Sequence, residues 1–366
     1  NPNAYNTSGN DQYGFSVAIS DTRAIVGAYQ EDDAGGLSSG KAYVYDITTF
    51  PTAPSTITSA THVIDNPNAY DTSAGDEFGY SVGIAGETVI VGAYLEDSAS
   101  GNDSGKAYIF DLIGAPSTIT SATYVLDNPD PYDSPNSPLK FGNSLSTSGN
   151  YTIVASDTNN ALDGNSLVQI YNNTTGTLVH TLSNPNAYGT SADDRFGGSV
   201  DISGNYAIVG APYEDDASNT GSGKAYIFDV TTSGLLYTLD NPNPVLFENN
   251  DQFGWSVAIS GNYAIVGANQ EDDAGGLSSG KAYIFDVTTG GLLYTLDDPN
   301  ADGGTNGDNF GYSVAIDGNN IIVGAFRESD AGGTSSGKAY IYDITTFPTT
   351  PATITSATYV LDNPNA

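Results

Sequence analysis

Acidic side chains at recurring positions are the chemistry that stands out in this sequence. A single aspartate (Asp11, Asp76, Asp194, Asp251, Asp308) precedes an apolar run, and a denser acidic tract follows the next run: Glu31-Asp32-Asp33, Glu96-Asp97, Glu214-Asp215-Asp216, Glu271-Asp272-Asp273 and Glu328-Ser329-Asp330. Oxygen donors grouped in this way suit a hard divalent cation, of which calcium is the usual one. They equally suit a solvated anionic rim, since a run of charge is most often plain surface. Both readings stay open at this point. Five lysines in Gly-Lys-Ala-Tyr (Lys41, Lys106, Lys224, Lys281, Lys338) follow the acidic tracts and make up most of the 9 basic residues, so local neutralisation is their expected task.

Catalytic signals are weaker. Gly36-Leu37-Ser38-Ser39-Gly40 fits the Gly-x-Ser-x-Gly nucleophile pattern, as do Gly276 to Gly280 and Gly333 to Gly337. That pattern carries chemistry on a strand-to-helix elbow with a histidine and an acid in reach. Here it recurs three times between strand-like runs, and the two histidines, His62 and His180, fall on late strands of different repeats. A serine triad is not expected. With no cysteine and no methionine, thiol nucleophiles, thiolate metal sites and disulfides are excluded outright. The reading is of a protein that is not an enzyme.

The segments that carry these residues are copies of one unit. Asp-x-(Phe/Tyr)-Gly-x-Ser-Val occurs at Asp11 to Val17, Asp76 to Val82, Asp194 to Val200, Asp251 to Val257 and Asp308 to Val314, and a degenerate copy spans Leu139 to Leu145. Markers Gly14, Gly79, Gly142, Gly197, Gly254 and Gly311 lie 65, 63, 55, 57 and 57 residues apart, which leaves no room for a separate domain. Each unit has four alternating apolar runs bounded by Gly, Asn, Asp and Pro, and none has a helical period, so the units are all-β. Gly149-Asn150, Gly204-Asn205 and Gly261-Asn262 mark tight hairpins between the first two runs. In Tyr13-Gly14-Phe15-Ser16-Val17-Ala18-Ile19 the odd positions are bulky and the even ones small. One face of each unit is therefore bulky and the other nearly flat, ready to nest on a neighbour. Trp255 shares the slot of Phe15, Tyr80 and Tyr312, which is a packing position first and a glycan-stacking one second.

The Phe-Gly signature is followed by Val26-Gly27-Ala28, Val91-Gly92-Ala93, Val209-Gly210-Ala211, Val266-Gly267-Ala268 and Val323-Gly324-Ala325. This pairing resembles the FG-GAP repeat over essentially the whole chain. The resemblance implies a propeller of the kind found in integrin α-subunits and bacterial surface proteins, with adhesion or assembly as its use. Such propellers usually have seven blades and calcium-binding members carry an Asp-x-Asp-x-Asp-Gly-like loop between strands one and two. Six units are present here, and Ser20-Asp21-Thr22-Arg23 or Ser260-Gly261-Asn262-Tyr263 stands where that loop would be.

The expectation is an all-β, six-bladed β-propeller with four antiparallel strands per blade: one domain over 1–366, with blades near 1–65, 66–127, 128–183, 184–240, 241–297 and 298–366. Because strands alternate in direction, the lead-in aspartates and the acidic tracts emerge at the same end of each blade, with the other end nearly neutral. A formal net charge of −34 excludes nucleic acid as a partner, and no apolar run is long enough to insert in a membrane. Absence of sulfur and an acidic, Asn- and Thr-rich surface fit an extracellular or cell-surface location. The functional reading is a structural or adhesive module, self-associating or bound to other surface proteins and stabilised by calcium. The alternative is a calcium-dependent glycan-binding module.

Overall fold

The computed structural model describes residue 2 and residues 11–32, 37–51, 55–67, 75–97, 103–128, 140–156, 166–185, 194–215, 221–243, 250–272, 278–300, 307–329 and 335–363. The fold is an all-β, six-bladed propeller, each blade carrying four strands paired in chain order. The first blade contains Tyr13–Ile19, Arg23–Ala28, Lys41–Asp46 and His62–Asp65, and the second Phe78–Ala85, Thr88–Ala93, Lys106–Asp111 and Tyr124–Asp127. The third contains Phe141–Ser148, Tyr151–Ser156, Leu167–Asn172 and Leu178–Ser183. The fourth comprises Ser199–Ser203, Tyr206–Ala211, Lys224–Asp229 and Leu235–Asp240, and the fifth Phe253–Ser260, Tyr263–Ala268, Lys281–Asp286 and Leu292–Asp297. Phe310–Asp317, Asn320–Ala325, Lys338–Asp343 and Tyr359–Asp362 form the sixth.

The chain divides into two compact units, Asn1–Asn160 with Ser166–Leu182, and Ala161–Asn165 with Ser183–Ala366. Each unit repeats one packing rule. In the first, the flat face of blade one (Ile25, Ala42, Val44, Ile64) buries the bulky face of blade two (Phe78, Val82, Val91, Tyr108). Blade two in turn buries Phe141, Leu145, Val154 and Tyr171 of blade three. In the second unit blade four receives blade five, and blade five receives blade six, through equivalent residues. Fully burying such a side chain contributes on the order of 1.5–3 kcal/mol, and these faces supply most of the apolar core.

Two glycines let neighbouring backbones approach that closely. A β-carbon on Gly27, Gly92, Gly210 or Gly267 would lie 2.0–2.2 Å from the carbonyl oxygen of the next blade's Phe-Gly or Trp-preceding glycine: Gly79, Gly142, Gly254 and Gly311. Those second glycines adopt φ of +87° to +93° at a bulge where the first strand changes register. Their carbonyls accept the small serine of the preceding blade: Ser16 Oγ to Gly79 O at 2.8 Å, Ser81 Oγ to Gly142 O at 2.6 Å and Ser256 Oγ to Gly311 O at 2.8 Å. The hairpin glycines Gly149, Gly204 and Gly261 have φ near +55° as a type II′ turn requires.

Two blades have a fifth strand, and it comes from the blade that follows. Thr118–Ile119, in the long connection of blade two, pairs in parallel with His62–Asp65 of blade one. Ala352–Ile354, in the long connection of blade six, pairs in parallel with Leu292–Asp297 of blade five. The Pro- and Thr-rich insertions are thus straps between neighbours, a role that their composition does not disclose.

Candidate functional site

In five blades the second strand ends in Ala and turns into an acidic loop whose first residue is the glutamate of the tract. Its amide donates to the Ala carbonyl (Glu31 N to Ala28 O, 3.1 Å), and its own carbonyl accepts from the glycine that closes the loop (Gly40 N to Glu31 O, 2.9 Å). The same closure recurs at Gly105, Gly223, Gly280 and Gly337, each at 2.9 Å. This turn drives the glutamate side chain inward, where Glu31, Glu96, Glu214, Glu271 and Glu328 are all buried.

Each carboxylate meets the tyrosine twelve residues on. Tyr43, Tyr108, Tyr226 and Tyr283 hold their hydroxyls 2.6–2.7 Å from both oxygens of Glu31, Glu96, Glu214 and Glu271, and Tyr340 donates to Glu328 Oε2 at 2.5 Å. Lys106 adds a buried ion pair to Glu96 at 2.7 Å, and Lys338 one to Glu328 at 2.9 Å. The other lysines turn to the end of the fourth strand: Lys41 to Asp65, Lys224 to Asp240, and Lys281 to Asp297 at 2.7 Å. Asn243 and Asn300 donate to Glu271 and Glu328, both at 2.7 Å. The sequence reading of the lysines as neutralising groups agrees with this arrangement.

Burial is the main force on these carboxyls and pushes Glu31 and Glu271 up to about 7, against the tyrosine hydroxyls and nearby lysines that pull the other way. Glu96 and Glu214 are raised for the same reason. The partner tyrosines are raised far above their ordinary value, by burial first and then by the carboxylate they contact. Neither member of the pair presents a free oxygen to solvent.

The lead-in aspartates come to the same end of each blade as the acidic loop, as the strand directions require. Backbone amides of the loop donate to their carbonyls (Gln30 N to Asp11 O, Leu95 N to Asp76 O, Tyr213 N to Asp194 O, Gln270 N to Asp251 O, Arg327 N to Asp308 O). Their side chains are buried, and Asn66, Asn184 and Asn241 of the Asn-Pro tract each donate to Asp76, Asp194 and Asp251 at 2.8 Å. Asp32, Asp97, Asp215 and Asp272 use Oδ1 to accept a backbone amide within their own loop: Ser38, Asp103, Gly221 and Ser278. Asp33, Asp216, Asp273 and Asp330 lie outside the described residues. Among the described residues no group of three or more acidic or histidine side chains is placed to hold a metal ion. The described acids fit a set of internal clamps; the loop-head glutamates in particular spend their lone pairs on tyrosine, lysine and asparagine.

One sequence expectation needs correction. The far end is not neutral in five of the blades: Asp46, Asp111, Asp229, Asp286 and Asp343 end the third strands there, opposite the lysine end. Each caps the following turn by accepting a backbone amide, such as Thr48 N at 3.0 Å or Thr288 N at 2.7 Å. Hydrogen bonds from those threonines hold the carboxyls of Asp46, Asp229, Asp286 and Asp343 below the usual range. What the sequence reading missed at the near end was the burial of the glutamates; the constant Glu-to-Tyr spacing of twelve, repeated five times, was the available signal.

The nucleophile-like loops do not assemble a triad among the described residues. Ser39 and Ser279, inside the loops, point at the Glu31 and Glu271 carbonyls at 3.4 Å, and His62 Nδ1 donates to the Pro116 carbonyl at 2.8 Å. Trp255 is half-buried against Tyr312 (ring centroids 5.6 Å), which in turn lies 4.3 Å from Phe326, with the Arg327 guanidinium over the Phe326 ring.

Comparison with known families matches the FG-GAP repeat at residues 3–45, 68–110, 186–228, 247–285 and 300–342. The chain belongs to the FG-GAP repeat family. The five matched segments are the five blades that carry the glutamate clamp. The third blade falls outside the match. It keeps Phe141-Gly142 but has Val154-Ala155-Ser156 for Val-Gly-Ala and Gln169 in the tyrosine slot. No curated protein matches the chain. FG-GAP repeats are typical of extracellular or surface proteins and are generally non-catalytic. No helix among the described residues is long and apolar enough to cross a membrane.

Proposed function

We propose that this FG-GAP protein is a non-catalytic structural or adhesive module that works outside the cell or at its surface. The observation that supports this most is the fivefold repetition of one clamp. A catalytic centre needs an asymmetric set of groups at a single place, whereas here the same glutamate and tyrosine recur in five blades and satisfy one another. Their burial and mutual bonding serve rigidity. Antibody labelling of intact, unpermeabilised producing cells and of their medium tests the reading. Label on the surface or in the medium is the expected result, and label confined to the cell interior refutes it.

A second reading, calcium-dependent glycan binding, draws on the Trp255, Tyr312 and Phe326 cluster, whose Tyr312 and Phe326 rings are exposed enough to stack on a sugar face. A glycan array with calcium and with chelator separates the two. Calcium-dependent signal that is lost in Phe326→Ala would favour the second, and a blank array under both conditions removes it.

A further inference from the structure

Blade six departs from the repeat at one position of its lead-in. In blades two, four and five an asparagine amide donates to the lead-in aspartate ten residues on: Asn66 Nδ2 to Asp76 Oδ2, Asn184 Nδ2 to Asp194 Oδ2 and Asn241 Nδ2 to Asp251 Oδ2, each at 2.8 Å. Ahead of blade six that residue is Asp298, and the aspartate ten residues on is Asp308. The surrounding bonds are kept. Asp298 Oδ1 accepts the Asn300 amide at 2.9 Å, as Asn241 Oδ1 accepts that of Asn243 at 3.0 Å, and Asn300 Nδ2 donates to Glu328 as Asn243 Nδ2 does to Glu271. Only the donor to the lead-in aspartate has gone. An ionised carboxylate accepts and never donates, so two of them cannot make the bond that amide and carboxylate make.

Both side chains are nonetheless inside the protein, Asp298 at 6% and Asp308 at 5% exposure. Asp298 Oδ2 is buried and accepts no hydrogen bond from an N–H or O–H, while the Asp308 carboxyl lies within hydrogen-bonding reach of Asp298. Among the described residues, the charged and titratable groups facing Asp298 come from several elements. Asp308 and Glu328 belong to the lead-in and acidic loop of blade six, Tyr340 and Tyr342 to its third strand, and Asp297 ends the fourth strand of blade five. Glu328 holds Lys338 at 2.9 Å, and Asp297 holds Lys281 at 2.7 Å. Tyr342 replaces the Phe110, Phe228 and Phe285 of other blades, and its buried hydroxyl is raised by burial first and then by Asp298. Burial first, then the charges of Glu328 and Asp308, push the Asp298 carboxyl up to about 7, against the pull of the Asn300 amide. Like carboxyls this close cannot both ionise without cost, and a proton between them belongs to the pair.

We propose that Asp298 and Asp308 share one proton that closes the lead-in of blade six where other blades use an asparagine amide, so that the tract from Asp298 to Asn300 is tightest in acid and opens more readily as the pH rises to neutral. With the proton in place, Asp298 donates to Asp308. Without it, two buried carboxylates stand together beside Glu328, and Asp298 turns out to water and gives up the Asn300 amide. The sign follows from the raised carboxyl. The closed tract binds the proton more tightly than the open one, so its contribution is full below the ordinary carboxylate range and is lost as pH rises through about 7.

Hydrogen exchange at the Asn300 amide of the full chain, corrected for intrinsic catalysis, tests this between pH 5 and pH 8. Protection is expected to fall by about tenfold per pH unit up to about pH 7 and then level off, because each opening releases one proton. Asp298→Asn restores the donor found in the other blades, and Asp308→Asn reverses donor and acceptor; each should make protection independent of pH. Carboxyl-carbon NMR of the unaltered protein at pH 5.5 should show a protonated carboxyl that is missing in Asp298→Asn. Protection that ignores pH in the unaltered protein, an equal fall in Asp298→Asn, or two ionised carboxyls at pH 5.5 overturns the inference. So does calcium that raises protection at pH 5.5 in the unaltered protein and not in Asp298→Asn, since a cation would then hold the place assigned to the proton.

Discussion

Replacing Tyr283 by phenylalanine probes whether the buried carboxylate is the stressed element of each blade. The hydroxyl lies 2.7 Å from both oxygens of Glu271, and Asn243 supplies one further donor at 2.7 Å. With the Glu271 carboxyl pushed up to about 7, the group is mostly ionised at pH 8 and mostly neutral at pH 5. A hydrogen bond to a charged group contributes about 1.5–3 kcal/mol and a neutral one about 0.5–1.5 kcal/mol. Tyr283→Phe should therefore cost about 2 kcal/mol at pH 8 and about half that at pH 5. The linkage sign follows from the raised carboxyls. Glu31 and Glu271 bind protons more tightly folded than unfolded, so their contribution is full below about pH 4.5 and is lost as pH rises through about 7. Each pH unit of raised affinity corresponds to about 1.4 kcal/mol. The unaltered protein should grow less stable from pH 5 to pH 8, and Glu271→Gln should flatten part of that slope. Urea unfolding followed by Trp255, the sole tryptophan and in the same unit, provides the assay. Equal losses for Tyr283→Phe at the two pH values, or no coupling between Tyr283→Phe and Glu271→Gln in a double-mutant cycle, would refute the reasoning.

Other substitutions follow from the same geometry. Gly254→Ala places a β-carbon 2.3 Å from the Lys224 carbonyl, on top of the strain of its positive φ, and should cost over ~4 kcal/mol in a thermal melt. Lys106→Met strands the fully buried Glu96 and should lose ~3–5 kcal/mol in chemical denaturation. Lys224→Met, whose ion-pair partner Asp240 is 70% exposed, should lose under ~1 kcal/mol in the same experiment. Deleting the strap residues Thr118 and Ile119 should raise hydrogen exchange along His62–Asp65 and leave the fifth blade unchanged, since each strap serves only the blade before it.

Much of this architecture is local and so lies open in the amino-acid order. Alternation of bulky and small residues in Phe253 to Ser260 sets both the strand and the two unlike faces of the blade, because successive side chains point to opposite sides whatever the surroundings. Repetition of the Phe-Gly and Val-Gly-Ala pair reports the close approach of backbones, since any side chain there would collide. Burial is a different matter, because it depends on what lies opposite. Glu31 and Asp32 are neighbours of like charge in the chain, yet one turns inward to Tyr43 and the other caps its own loop at Ser38. Thr118-Ile119 sits in a Pro- and Thr-rich connection that reads as loop, yet it adds a parallel strand to the edge of the blade before it. The order of residues determined what each blade offers; tertiary structure alone decided which offers were taken up, because hydrogen bonds and apolar contacts need a partner that distance along the chain does not supply.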